Sequence, residues 1–252
     1  RGLGDVYKRQ QYRGIFINDE GWGITPWAGK TFDKELGDIG PKTYAKVCEL
    51  ILRMKGNVLA PAMHPSSGAF NKYPENKMVA DSYGIIMSSS HSEPLLFNNV
   101  TEWDKKTMGE WNYMTNKEGI NKILDQRVSG NAPYENIYTI AMRGIHDAGL
   151  VGVPKDKEVS LVEEVIADQR EILKKHIDAP LDSVPQIFVP YKEVLDIYER
   201  GLRLPEDIML VWPDDNYGYI KRLNNKEERN RKGGSGVYYL SLIHISEPTR
   251  PE

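Results

Sequence analysis

Residues 185–201 read PQIFVPYKEVLDIYERG, a short β-type run (185–190) passing directly into a helical stretch (191–201). The same order recurs along the chain. Further β-type runs lie at 14–18, 57–60, 84–88, 136–142, 208–212 and 236–240, and helical stretches at 41–56, 74–82, 116–128 and 160–177. Gly40-Pro41 opens the first helix with proline at a helix-compatible position. Ser160 and Glu163 have the spacing of a capping box. A charged helix is expected at 224–232, with the glycine pair Gly233-Gly234 leading into the seventh strand. Repeated strand-then-helix units imply parallel strands buried under helices, as an open sheet or a barrel.

Two features favour the barrel. No glycine-rich phosphate loop follows an early strand. Polar residues also gather just after the strands' carboxyl ends, where barrel enzymes place their sites: Asn18, Asp19 and Glu20; His64; His91 and Glu93; Arg143, His146 and Asp147; Lys192 and Glu193; Asp214, Asp215 and Asn216. The expected fold is therefore α/β, a (β/α)8 TIM-type barrel truncated before its eighth strand.

The bulk numbers agree with one globular domain. The 252 residues are 40% hydrophobic and 27% charged, with 33 basic against 36 acidic residues in no one-sign block. Nothing here favours a nucleic-acid partner. No run approaches the roughly 18 apolar residues that would cross a membrane, and the N-terminus lacks the apolar centre of a signal peptide. The single cysteine, Cys48, cannot form an internal disulfide and reads as a small core residue. RGLGDVYKRQ (1–10) and SLIHISEPTRPE (241–252) do not continue the patterns beside them and are similar to translated sequencing-adapter read-through, so both are expected to be non-native tails around a partial domain at 11–240.

Several carboxylates with few bases, and no GxSxG nucleophile turn, disfavour acyl transfer. Glycoside hydrolysis needs paired carboxyl groups, one protonating the leaving oxygen and one activating water or attacking the sugar. Glu193 and Asp214 are the candidate pair, with Asp147 and Asp19 in reserve. Trp22, Trp27, Tyr191, Trp212, Tyr217 and Tyr219 are placed to stack on sugar rings. Bland readings stand beside these. Asp19-Glu20 and WPDDNYG (212–218) are turn formers, Arg143 and Asp147 can be a structural ion pair, and Glu193 suits a first helical turn. His64, His91 and His146 lack zinc-motif spacing, and His176 reads as helix surface.

RGIFINDE (13–20), GPKTYAKVCELILRMKGN (40–57), PAMHP (61–65), SSHSEPLLFNN (89–99), YMTNKEGI (113–120), MRGIHD (142–147), DQREILKKHI (168–177), PQIFVPYKEVLDIYERGL (185–202), WPDDNYGYIKRL (212–223) and GGSGVYY (233–239) resemble, in order, the catalytic region of glycoside hydrolase family 115. The resemblance implies an inverting xylan α-1,2-glucuronidase that removes glucuronic acid or its 4-O-methyl ether. It implies a site of Asn18, Asp19, Arg143, Asp147, Glu193, Asp214 and Asn216, with His91 and Trp27 as further pocket members. On this reading Glu193 is the general acid, its pKa raised by burial, and Asp214 helps activate water, the two carboxyl groups being expected about 6.5–9.5 Å apart to leave room for it. Arg143 would clamp the uronate bidentately, with Lys192 or His91 as alternates. No metal or organic cofactor is implied. The partner is the polysaccharide glucuronoxylan, outside the cell or in the periplasm, and a homodimer of the full-length parent stays open.

The chain departs from the family where Gly21-Trp22 follow INDE, and where LAPAMHP (59–65) lacks a tryptophan before proline. A barrel cut inside its seventh unit is expected to be unstable or inactive. The alternatives are a barrel hydrolase for another sugar and a noncatalytic carbohydrate-binding barrel.

Overall fold

Val58, Leu59 and Ala60 are each less than a tenth exposed, so their strand is covered on both faces and takes the parallel, helix-flanked arrangement that such burial requires. In a computed structural model of the protein, residues 10–17, 20–215 and 218–239 are described, the side chain of Glu20 excepted. Both presumed tails, apart from Gln10, and the site candidates Asn18, Asp19 and Asn216 with Tyr217 lie outside the described residues.

The strands are β1 (Gly14–Phe16), β2 (Val58–Ala60), β3 (Ile86–Met87), β4 (Tyr138–Thr139), β5 (Gln186–Phe188), β6 (Met209–Pro213) and β7 (Ser235–Tyr238). All pair in parallel and in chain order, β1-β2-β3 and β4-β5-β6-β7. A parallel bridge between Met87 and Asn136 joins the two sheets. The main helices are α1 (Thr25–Lys30), α2 (Pro41–Arg53), α3 (Pro74–Ser82), α4 (Lys105–Met108), α5 (Tyr113–Asn131), α6 (Glu158–His176) and α7 (Glu193–Glu199). The chain is thus an α/β fold with parallel sheets.

The two-residue period of the strands decides what faces where. Phe188, Leu210 and Trp212 point into the larger core with Leu124 and Val128 of α5 and Val165 and Ile172 of α6. Their neighbours Val189 and Val211 point the other way, into a smaller cluster with Ile187, Met209, Phe16 and Tyr238. The ring of Phe16 on β1 lies 5.6 Å from that of Tyr238 on β7, so β1 and β7 share this cluster. Cys48 is fully buried beside Tyr44 and Ile51 under β2, and burial pushes its thiol up to about 11.

Pro41 is the first residue of α2, and the helix's free N–H groups are taken by a distant carboxylate. Asp33, fully buried, accepts from the backbone of Gly40 (3.2 Å), Lys42 (3.1 Å) and Thr43 (2.8 Å). Two local expectations fail. Ser160 is no cap: α6 begins at Glu158, and the Ser160 hydroxyl donates back to the Lys157 carbonyl at 3.0 Å, inside the helix. The charged helix expected at 224–232 shrinks to one 3-10 turn, Glu228–Asn230, because buried Glu228 is drawn inward by the Tyr198 hydroxyl (2.9 Å), Arg222 (2.6 Å) and the Asn225 N–H (2.8 Å).

Candidate active site

The backbone beyond β4 is kept extended by a helix side chain. Gln169 of α6 is fully buried, accepts from Ala141 N–H (3.0 Å) and donates to Ala141 O (2.6 Å), as a neighbouring strand would. The chain then delivers Arg143, whose carbonyl accepts from the Trp111 indole at 2.8 Å. A turn closed by Gly144 N–H to Ala148 O (2.9 Å) follows. A Cβ at Gly144 would meet Gly149 O at 2.6 Å, so only glycine fits. Beyond β5, Lys192 adopts φ of 52° and Glu193 opens α7.

These two strand ends converge. Arg143, 1% exposed, donates from Nε and Nη2 to the two Glu193 oxygens, both at 2.9 Å. Its Nη1 bonds Asp147, whose carboxylate also accepts from Lys192 and from His91 Nε2 at 2.9 Å. Tyr191 closes the group, its ring 4.6 Å from His91 and 5.7 Å from the Arg143 guanidinium. Asp214, 1% exposed, lies with Tyr191 and Lys192 in the wall of a cleft of about 210 Å³.

The charges are strongly coupled. Burial works against ionising Asp147, but hydrogen bonds from His91, Lys192 and Arg143 outweigh it and hold the carboxyl well below the usual range. Burial lowers the His91 pKa despite that carboxylate. His91 is therefore a neutral imidazole donating Nε2–H, and its buried Nδ1 has no hydrogen-bond partner among the described residues. Tyr238 is raised well above its ordinary value by burial, reinforced by Glu93, Tyr191, Asp147 and Asp214. Its hydroxyl is likewise buried without a hydrogen-bond partner among the described residues.

The sequence candidates thus divide. Arg143, Asp147, Glu193 and His91 meet in one hydrogen-bonded group, and Asp214 joins its edge. Trp27, 46% exposed on α1, makes its ring contact edge-on with Phe32 at 5.0 Å. Arg143, expected to clamp the uronate, donates in the structure to both Glu193 oxygens and to Asp147, and Lys192 beside it is 44% open to solvent. The Glu193 side chain is 30% exposed in the Arg143 fork. Sequence reading missed Tyr238, since one tyrosine on a strand carries no signal. It also missed the contact between His64 Nδ1 and His146 Nε2 at 2.8 Å, because 82 residues separate them. No cluster of three or more His, Cys, Asp or Glu suited to a metal occurs among the described residues.

The model of Glycosyl hydrolase family 115 matches residues 8–249. Among solved structures the chain is similar to BtGH115A, described as a family GH115 4-O-methyl-α-glucuronidase with specificity for decorated arabinogalactans, at 44% identity and a TM-score of 0.87. That match covers 91% of this chain and 31% of the other, so the chain spans about a third of its neighbour's length. No curated protein matches the chain.

Proposed function

Because the chain belongs to glycosyl hydrolase family 115, we propose that it is catalytic-domain sequence of an inverting α-glucuronidase, cutting the α-1,2 bond to (4-O-methyl-)glucuronic acid on a polysaccharide. The observation that carries this is the meeting of Arg143, Asp147, Glu193, His91 and Lys192 at neighbouring strand ends, with Asp214 beside them. The seven parallel strands of the described residues, in chain order, are read as the first seven of a (β/α)8 barrel, a reading supported by the Phe16–Tyr238 contact between β1 and β7.

Glu193 donates the proton to the leaving oxygen and Asp214 activates water. Asp147, ionised between three donors, is the fixed anion that keeps Arg143 and Lys192 in place. Proton donation requires Glu193 to give up part of the Arg143 fork, so sugar binding and proton delivery are coupled. Lys192 meets the uronate carboxylate from its exposed side. Asn18, Asp19, Asn216 and Trp27 contact the sugar. Since such polymers do not enter cells, the parent works outside the cell or in the periplasm.

The polymer is glucuronoxylan on the first reading. The second is a decorated arabinogalactan, favoured by the 44% identical neighbour. The test is uronic acid release from 4-O-methylglucuronoxylan and from decorated arabinogalactan by the protein with its flanking sequence restored. Glu193→Gln and Asp214→Asn should each lower kcat by about 10²–10⁴-fold, and an activated aryl α-glucuronoside should rescue the Glu193 variant alone. Release unchanged in both variants would leave a noncatalytic carbohydrate-binding barrel. Release of neutral sugars only would point to another hydrolase.

A further inference from the structure

Three loops flank the cluster: 61–69 after β2, 88–99 after β3 and 143–148 after β4. Two consecutive buried asparagines lace them together. Asn98 donates from Nδ2 to Met63 O at 3.2 Å, next to His64, while its Oδ1 caps the turn at Val100 N–H (3.0 Å) and Thr101 N–H (3.1 Å). Asn99 is fully buried and works in the opposite direction. Its Nδ2 donates to Ser92 O at 3.4 Å and Gly144 O at 3.3 Å, and its Oδ1 accepts the His146 N–H at 3.1 Å.

His146 has φ of 60°, a left-handed conformation that a residue with a Cβ keeps only when its surroundings hold it there. Asp147 comes next in the chain, and any relaxation of His146 would swing its carboxylate away from Arg143, His91 and Lys192. We propose that Asn99 is a positioning residue for Asp147, fixing the Gly144–His146 turn from inside the fold. The chemistry is particular to an amide. At this size only asparagine presents donors to two carbonyls and an acceptor to an N–H at once; aspartate keeps only the acceptor, and alanine neither.

The catalytic half of this inference rests on the α-glucuronidase reading; the positional half does not. The experiment therefore has two arms. In the first, the Asp147 carboxyl ¹³C shift is followed down to pH 4 by NMR in the protein and in Asn99→Ala, Asn99→Asp and Asn98→Ala. The carboxyl should stay fully ionised in the protein and in Asn98→Ala. It should be part-protonated in Asn99→Ala and intermediate in Asn99→Asp, which also serves if the alanine variant does not fold. In the second arm, kcat of the protein with flanking sequence restored should fall about 10–100-fold in Asn99→Ala, with KM little changed and the acid limb of the pH profile moved upward. An unmoved Asp147 titration in a folded Asn99 variant overturns the proposal, as does an equal movement in Asn98→Ala. A moved titration in a protein that releases no uronic acid would leave the positioning role standing and remove the glucuronidase reading.

Discussion

Asp147 and His91 share one hydrogen bond but answer pH in different windows. The Asp147 folded pKa is depressed, so its contribution to stability is complete above the ordinary carboxylate value of about 4 and is lost only as pH falls below it, toward the folded value. The His91 folded pKa is also depressed, so below about pH 6.5 the unfolded chain takes up a proton that the fold refuses, and stability falls. Denaturant midpoints measured at pH 7.5 and 5.5 should therefore drop for the protein, and drop less for His91→Gln. Equal drops would mean that His91 is not the buried neutral imidazole described. At the same scale, Cys48 should resist thiol reagents at pH 8 until the protein is unfolded, because its sulfur is buried and its thiolate disfavoured.

Helix α2 shows how an element depends on a residue outside it. Its glycine and proline start was legible in the sequence, but the group that satisfies its amides, Asp33, lies seven residues before Gly40. Asp33→Ala leaves three buried or half-buried N–H groups unpaired and should cost roughly 2–4 kcal/mol. Asp33→Asn, which keeps an acceptor, should cost less. Thermal or denaturant unfolding checks both, and a loss below about 0.5 kcal/mol for alanine would show the N–H groups rehydrated instead. Ser160 and Glu163 teach the reverse lesson. The capping spacing was present, yet the chain already turned helical at Glu158, so the serine was overtaken by the preceding turn.

Across the whole molecule, β1 and β7 end the strand order, each paired on one side among the described residues. Val237 on β7 is 57% exposed and Tyr239 beyond it 45% exposed. A closing βα unit between these strands would cover them and remove both open edges. On that proposal the 252-residue chain alone should bind a dye for exposed apolar surface and release little uronic acid, whereas the extended protein should do neither and should hydrolyse its polymer. Equal release by the two would remove the eighth unit from the argument.

The strand-then-helix order and the parallel sheet were legible in the sequence because periodicity is a local property of the chain, and the family because ten segments resemble it in order. Tertiary structure alone decided what those residues do to one another. That Arg143 turns inward to Glu193, that Lys192 reaches Asp147, and that His64 meets His146 all depend on contacts between segments about 45 to 82 residues apart. No local pattern encodes such distances; they follow from how the strands pack side by side.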